Sequence, residues 1–169
     1  DGNAESRRGT VSVFNGPEPE IKVYKSEEAE TEAVTKWLSE LQGEGFQPRE
    51  LGIFVRSEAQ MERARKALRE AEIKFVELDA TLETRTDSAS ISTMHLAKGL
   101  EFRAVAVMAC DDEVIPLQER IESVADVADL EDVYETERHL LYVACTRARD
   151  RLMISGVDPR SEFLDDLQM

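Results

Sequence analysis

The stretch STMHLAKGLEF, residues 92–102, places a histidine, a lysine, a glycine and a glutamate in one short segment. Its apolar residues suit a buried strand-to-helix junction, where His95, Lys98 and Glu101 would be costly unless polar groups meet them. A hydroxyl, an imidazole and backbone amides at a helix start can bind a nucleic-acid phosphate. Gly99 would let the main chain approach a ligand, and Glu101 could accept from a sugar hydroxyl. Taken alone, His95 is equally well explained as a hydrogen-bonded structural histidine.

Two further places carry arginines that could face a ligand. Arg56 directly follows LGIFV, and its planar fork would suit a phosphate, although its position alone favours a solvated arginine at a helix start. The segment TERHLLYVACTRARDRL is predicted to end a helix, where the helix dipole favours cations in any case. We therefore interpret Arg149 and Arg151 as solvated. We expect Arg147, near the apolar stripe, to be held by the protein in an orientation that faces a ligand.

Several catalytic and metal-binding patterns are absent from the sequence. It contains no G-x-x-x-x-G-K-[ST] phosphate loop, no Ser/His/Asp set and no H-E-x-x-H. The acidic stretch SEEAETEA and the cluster Asp111, Asp112 and Glu113 lack the spacing of a calcium loop, which favours a solvated helix face and an acidic loop. No metal site is predicted. Arginines that face a phosphate without a phosphate loop fit a domain that completes a nucleotide site on a neighbour.

Strand and helix patterns alternate along the chain. Strands are predicted at TVSVF, EIKVYK, LGIFV, IKFVEL, ASISTM, AVAVMAC and RLMIS. Helices are predicted after a cap at Ser26, after a capping box of Ser57 with Gln60, over about residues 129–150, and at SEFLDDL. This order predicts an α/β fold with a mostly parallel sheet flanked by helices. Ligands of such sheets bind where strands end, which is where Arg56 and the 92–102 stretch lie.

Length and charge limit the alternatives. The 169 residues fit one domain, and we expect residues 1–9 to be a flexible end or linker and residues 10–169 the domain. The absence of a long apolar run or signal peptide predicts a cytoplasmic protein without a membrane segment. Cys110 and Cys145 are predicted to be reduced and buried. A net charge of −15 argues against nucleic-acid binding through a broad basic surface, so any contact with nucleic acid must be local.

Three of these segments, in order, resemble a known family. TMHLAKGLEF with the following AVAVMACDDEVIP resembles motif V of the UvrD/Rep family of superfamily 1 helicases, and TERHLLYVACTRA resembles motif VI. LGIFVRSEAQMERARKAL is similar to motif IV. The likeness extends from about residue 11 to residue 155. It implies the second, C-terminal RecA-like motor domain of an ATP-dependent DNA helicase, a P-loop NTPase-type fold without its own phosphate loop.

The resemblance also implies roles for individual residues. The arginines of motifs IV and VI, which correspond to Arg56 and Arg147, would contact the γ-phosphate of ATP as catalytic residues. Glu101 would contact the nucleotide sugar with Gly99 beside it, while Thr93 and His95 would contact single-stranded DNA. ATP and Mg²⁺ would be held mainly by the N-terminal RecA-like domain of the same polypeptide, and repair proteins are expected partners. An isolated C-terminal domain would be inactive.

The chain departs from the family pattern at two positions. Many members carry a tyrosine before the motif IV arginine that stacks on adenine, and here that residue is Val55. Many members insert a large accessory domain ahead of motif V, whereas here a short link follows Leu78. The first departure puts base stacking in doubt. The second fits either a compact type of helicase or a chain from which the insertion has been removed.

Two other interpretations remain open at the level of sequence. A degenerate helicase-like domain could serve as a protein-interaction module within a repair complex, although such a module would not need the arginines or Glu101. An unrelated acidic α/β binding domain would leave the ordered series of three motifs as coincidence.

Overall fold

A computed structural model describes residues 16–167 of the chain. The predicted strand TVSVF and the predicted flexible end at residues 1–9 lie outside the described residues. Six strands are described: β1 (Glu20–Tyr24), β2 (Leu51–Val55), β3 (Phe75–Glu77), β4 (Ala89–Thr93), β5 (Phe102–Val107) and β6 (Ala148–Val157). The helices are α1 (Glu27–Gly43), α2 (Met61–Glu70), α3 (Gln118–Glu122), α4 (Val127–Cys145) and α5 (Phe163–Leu167).

The six strands form one sheet in the order β1-β6-β5-β2-β4-β3. Every pairing between neighbouring strands is parallel, which confirms the predicted α/β fold. Strand β2 lies at the centre between β5 and β4, and all five of its residues are buried. A strand covered on both faces needs the continuous apolar run that LGIFV provides.

Helices cover both faces of the sheet. On one face, α1 and α2 pack against the sheet through residues that include Leu38, Leu41 and Leu68. On the other face, α4 and α5 pack together with the segment between β4 and β5, through residues that include Met94, Leu141 and Phe163. The predicted helix start at Ser26 is confirmed, because the Ser26 hydroxyl accepts a hydrogen bond from the Ala29 amide at 3.1 Å.

The predicted capping box at Ser57 is wrong. Residues Glu58–Gln60 form a 3₁₀ turn, and α2 begins only at Met61. The Ser57 side chain makes no capping hydrogen bond. The amide oxygen of Gln60 instead accepts from Nη1 of Arg63 at 3.3 Å, so the side chain that was expected to complete the box is used elsewhere.

The predicted end of the long helix is also wrong. Helix α4 ends at Cys145 and not near residue 150, because β6 begins at Ala148. Residues that were expected in the last helical turn, Arg149 and Arg151, therefore lie in a strand paired with β5, and the helix dipole does not explain them. Only Arg147 stays in the turn between helix and strand.

Both cysteines are free and buried, as predicted. Burial raises the pKa of the Cys145 thiol to about 12, so the thiol stays protonated at neutral pH. Within residues 16–167, no helix is both long and apolar enough to cross a membrane.

Candidate functional site

The segment between β4 and β5 runs from the carboxyl ends of the strands back to their amino ends. These two ends of the sheet are called here its carboxyl edge and its amino edge. It leaves the carboxyl end of β4 at Thr93, forms a 3₁₀ turn over Met94–Leu96, and returns to the amino end of β5 at Phe102. Because β4 and β5 are both parallel to β2, this return covers the length of β5, about 20 Å. Met94, Ala97 and Leu100 pack against the sheet and α4, which fixes the segment in place.

Arg56 lies at the carboxyl edge and is buried, with 3% of its side chain exposed. It is therefore not the solvated arginine that its position alone favours. Its Nε and Nη2 donate to the two carboxylate oxygens of Glu137, at 2.8 and 2.7 Å. Its Nη1 lies 3.1 Å from Nε2 of His95. The structure thus brings Arg56 and His95, which are 39 residues apart in sequence, into direct contact.

Glu137 is fully buried in α4 and was not recognised from the sequence as a site residue. Besides Arg56, its oxygens accept from the Leu117 amide at 2.7 Å and from Nη1 of Arg120 at 2.8 Å. Burial raises the pKa of this carboxyl, but hydrogen bonds from Arg56 and the Leu117 amide, with the charge of Arg56 and the bond from Arg120, outweigh burial and lower it. Glu137 is therefore a carboxylate paired with two arginines.

The sequence did contain one indication that Glu137 is buried and needs partners. Val133, Glu137 and Leu141 follow one another at helical spacing along α4, and all three are buried. A glutamate in an apolar stripe needs buried donors, because an unpaired charge cannot stay in the core. The identity of the donors could not be read from the sequence, since Arg56 precedes Glu137 by 81 residues.

His95 contacts the buried guanidinium of Arg56. Because Nη1 of Arg56 can only donate, Nε2 of His95 accepts, and the imidazole is neutral with its proton on Nδ1. Burial, followed by the positive charge of Arg56, lowers the pKa of His95 below its ordinary value of 6.5. Thr93, two residues earlier, is partly exposed at the end of β4. The two residues expected to contact DNA thus lie together at the carboxyl edge.

Arg147 lies at the opposite, amino edge of the sheet, immediately before β6. Its Nε donates to the Val143 carbonyl at 3.2 Å, its Nη1 to the Leu100 carbonyl at 3.3 Å, and its Nη2 to the Thr146 hydroxyl at 3.1 Å. Among residues 16–167, no carboxylate lies within ion-pair distance of Arg147. The arginines that form ion pairs are others, such as Arg56 and Arg63. Arg147 is thus held in place by neutral acceptors, with its positive charge uncompensated.

The remaining predicted nucleotide contacts lie near Arg147. Gly99 has a φ of +92°, a left-handed backbone conformation that favours glycine. Glu101 is exposed and lies 3.7 Å from Nε of Arg149. The predicted residues therefore fall into two groups, Arg56 with Thr93 and His95 at the carboxyl edge, and Gly99, Glu101 and Arg147 at the amino edge. The β4–β5 segment contacts both arginines, through His95 and through the Leu100 carbonyl.

Two other charged residues that the sequence singled out, Arg151 and Asp111, have structural partners. Arg151 pairs with Glu44 at 3.1 Å and so is less solvated than predicted, whereas Arg149 is exposed. Asp111, which belongs to the acidic loop, pairs with Arg63 at 2.7 Å. In the part of the chain that the structure describes, no three potential metal ligands cluster together.

Comparisons with known proteins agree with the sequence resemblance. Residues 76–158 match the family described as UvrD-like helicase C-terminal domain. This match includes both groups of candidate residues except Arg56, which precedes it. The crystal structure of the C-terminal domain of a possible DNA helicase from Lactobacillus plantarum WCFS1 superposes with a TM-score of 0.64 and 25% identity, covering 92% of this chain and 85% of the other.

Two curated relatives are helicases. The ATP-dependent DNA helicase Rep of Buchnera aphidicola is 31% identical over 91 residues, which are 54% of this chain and 13% of that protein. The putative ATP-dependent DNA helicase YjcD of Bacillus subtilis is 41% identical over 80 residues, 45% of this chain and 10% of that protein. The matched segment is therefore only a small part of each relative's length.

Removing Arg56 should destabilise the fold. Arg56→Ala leaves Glu137 buried with Arg120 as its remaining charged partner, and we expect the free energy of unfolding to fall by about 3 kcal/mol in urea denaturation. Arg69→Ala is the matched control, because the Arg69 pair with Glu62 is exposed and should contribute little. Equal unfolding midpoints for the Arg56→Ala and Arg69→Ala chains would contradict the buried pairing.

The charge of Arg56 should be visible in the titration of His95. We expect the His95 imidazole to titrate below 6.5 by NMR, and its midpoint to rise in Arg56→Ala. Because the folded state favours the neutral ring, the unfolded chain protonates His95 at a higher pH than the folded chain does. The contribution of His95 to stability is therefore present above pH 6.5 and declines on acidification. His139→Gln assigns the two histidine signals. An unchanged His95 midpoint in Arg56→Ala would refute the contact.

Proposed function

Because this chain belongs to the UvrD-like helicase C-terminal domain family, we propose that it is the second motor domain of an ATP-dependent DNA helicase. In this proposal the domain completes an ATP site whose phosphate loop belongs to the N-terminal RecA-like domain of the same polypeptide. ATP hydrolysis between the two domains would drive movement along single-stranded DNA.

The state of Arg147 is the observation that carries this proposal. An arginine that is partly buried and held by neutral acceptors, without a carboxylate partner among the described residues, is suited to meet an anion from outside the domain. A terminal phosphate at the face between two domains is such an anion. There the guanidinium of Arg147 would stabilise the negative charge that develops on the transferring phosphoryl group.

Glu101 and Gly99 are proposed to contact the nucleotide beside Arg147. The exposed Glu101 carboxylate can accept a hydrogen bond from a ribose hydroxyl. The backbone at Gly99 leaves room for close approach, because a Cβ there would lie 3.9 Å from Cδ1 of Leu82. We assign no Mg²⁺ ligand to this chain, because within residues 16–167 no three potential metal ligands lie together. The N-terminal domain would hold the ATP-bound metal.

Arg56, Thr93 and His95 are proposed to act at the carboxyl edge. Nη1 of Arg56, the nitrogen that does not contact Glu137, lies 3.1 Å from Nε2 of His95. Because Arg56 is buried at the opposite end of the sheet from Arg147, one terminal phosphate does not reach both arginines, and we assign the phosphate to Arg147. Thr93 and His95 would contact the DNA backbone. With a net charge of −15, the domain must bind DNA through such local contacts, so its own affinity for DNA should be low and sensitive to salt.

Opening and closing of the cleft would then move these contacts along the strand. The β4–β5 segment supplies both the proposed DNA contacts and the carbonyl that holds Arg147, so a shift on one side would be felt on the other. The cytoplasmic location of the protein stays a prediction, and so does its binding to repair proteins.

The central test is Arg147→Ala in the complete helicase. Loss of an arginine that stabilises the transferring phosphoryl group should lower kcat for DNA-stimulated ATP hydrolysis by about 10³-fold or more, with little change in DNA affinity. Arg69→Ala, on an exposed face of α2, serves as the control and should leave both unchanged. Retention of most of the turnover in Arg147→Ala would exclude the assignment. Little turnover even in the wild type would favour the interaction module.

The 169-residue chain alone is expected to hydrolyse no ATP. It lacks a phosphate loop, so the nucleotide would have no cradle for its phosphates. Phosphate release should be measured with highly purified chain, with and without single-stranded DNA, beside an Arg147→Ala preparation that reports contaminating ATPase. Turnover that is present in the wild type and lost in Arg147→Ala would overturn this expectation.

A further inference from the structure

The group of residues around Glu137 carries an excess of positive charge. Nη2 of Arg56 and Nη1 of Arg120 donate to the same oxygen of Glu137, Oε2, at 2.7 and 2.8 Å. His95 is neutral when it accepts from Arg56, so two positive charges share one negative charge. The balance is reversed at Arg63, which pairs with three carboxylates. The group is thus a local positive centre in a chain of net charge −15.

Arg120 is the charged member of this group that a ligand can reach. Its side chain is 36% exposed, whereas that of Arg56 is 3% exposed and that of Glu137 is fully buried. Nη1 of Arg120 contacts the carboxylate, and its Nε and Nη2 donate to no acceptor among residues 16–167. Within the same residues, Arg120 has no second carboxylate at ion-pair distance. Glu137 therefore holds one nitrogen of the Arg120 guanidinium and leaves the other two open to an anion.

His95 supplies a second donor near Arg120. Its Nε2 accepts from Arg56, which places the proton of the neutral ring on Nδ1. His95 is an exposed residue, and its Nδ1 donates to no acceptor in the described part of the chain, so this proton is available to a ligand. Burial and the charge of Arg56 lower the pKa of His95, and the charge of Arg120 also lowers it, which shows that Arg120 is close enough to act on the ring.

We propose that Arg120 and His95 together bind a phosphate group of the single-stranded DNA backbone. Glu137 and Arg56 hold these two donors in place from the interior of the domain. This inference rests on the proposed function and adds Arg120, a charged contact, to the carboxyl edge. The nucleotide is assigned to the amino edge beside Arg147, so the phosphate bound at the carboxyl edge belongs to DNA.

Such a site allows an acidic domain to bind DNA without a broad basic surface. A phosphate that meets a positively charged side chain releases condensed counterions, and this release drives binding. An arginine matched by its own exposed carboxylate, as Arg69 is by Glu62, gains less from a phosphate because it must first give up that partner. Arg120 shares its carboxylate with Arg56, so it can meet a phosphate without leaving a buried charge unpaired.

The first experiment compares Arg120→Gln with Arg69→Gln in the complete helicase. Binding of a labelled oligothymidylate is followed by fluorescence anisotropy between about 50 mM and about 200 mM salt. We expect Arg120→Gln to lower the affinity about tenfold at the lowest salt and to reduce the slope of log K against log salt by about 0.7. Arg69→Gln makes the same charge change at an exposed pair and should leave both unchanged. An unchanged slope in Arg120→Gln would overturn the proposal.

His95→Ala tests the neutral donor at about pH 7.5, where the ring is uncharged. A neutral donor displaces no counterion, so the affinity for the oligothymidylate should fall about fivefold while the salt slope stays at its wild-type value. A loss of slope equal to that in Arg120→Gln would overturn the proposed division between a charged and a neutral donor. Wild-type affinity in His95→Ala would instead contradict the DNA contact in the proposed function.

Arg120→Lys distinguishes phosphate binding from support of the fold. Lysine keeps the charge but loses the planar fork, so the wild-type salt slope should be retained and the affinity should fall less than in Arg120→Gln. A loss of slope as large in Arg120→Lys as in Arg120→Gln would overturn the proposal, with circular dichroism checking that both variants are folded. KM for ATP should stay within about twofold in each variant. A raised KM with wild-type DNA affinity would place Arg120 at the nucleotide and also overturn the proposal. A complete wild-type protein that binds no single-stranded DNA would contradict the proposed function itself.

Discussion

The buried carboxylate of Glu137 is the interaction on which the carboxyl edge of the domain depends. It joins β2, the loop before α3, and α4 through donors from Arg56, the Leu117 amide and Arg120. A carboxylate in this position is tolerated only because all of its acceptor sites are used, and removal of a partner leaves a buried charge. The position of Arg56, and through it of His95, follows from this one group.

The two candidate catalytic arginines are held by opposite means. Arg56 is neutralised by a carboxylate and nearly inaccessible, whereas Arg147 is partly exposed and bound only to carbonyl and hydroxyl oxygens. The β4–β5 segment contacts both, through His95 at one edge and Leu100 at the other. One segment therefore contacts the arginine at each end of the sheet.

Local patterns predicted the layers of the fold, and long-range partners could not be predicted. The strand LGIFV and the helix cap at Ser26 depend on patterns and hydrogen bonds within a few residues, and both were predicted correctly. The end of α4 was misplaced because ARDRL, which belongs to a strand, follows the helix without a glycine or proline, and its arginines are residues that also suit a last helical turn. The pairing of Arg56 with Glu137 depends on how distant elements pack, so the sequence showed only that a charge occupied an apolar stripe.

The most direct measurement is a structure of the complete protein with a non-hydrolysable ATP analogue and single-stranded DNA. The account predicts that the guanidinium of Arg147 lies within hydrogen-bonding distance of the terminal phosphate, while Arg56 stays paired with Glu137 at the other end of the sheet. It also predicts Glu101 at the ribose and His95 at the DNA backbone. A terminal phosphate contacted only by residues outside this domain would contradict the account.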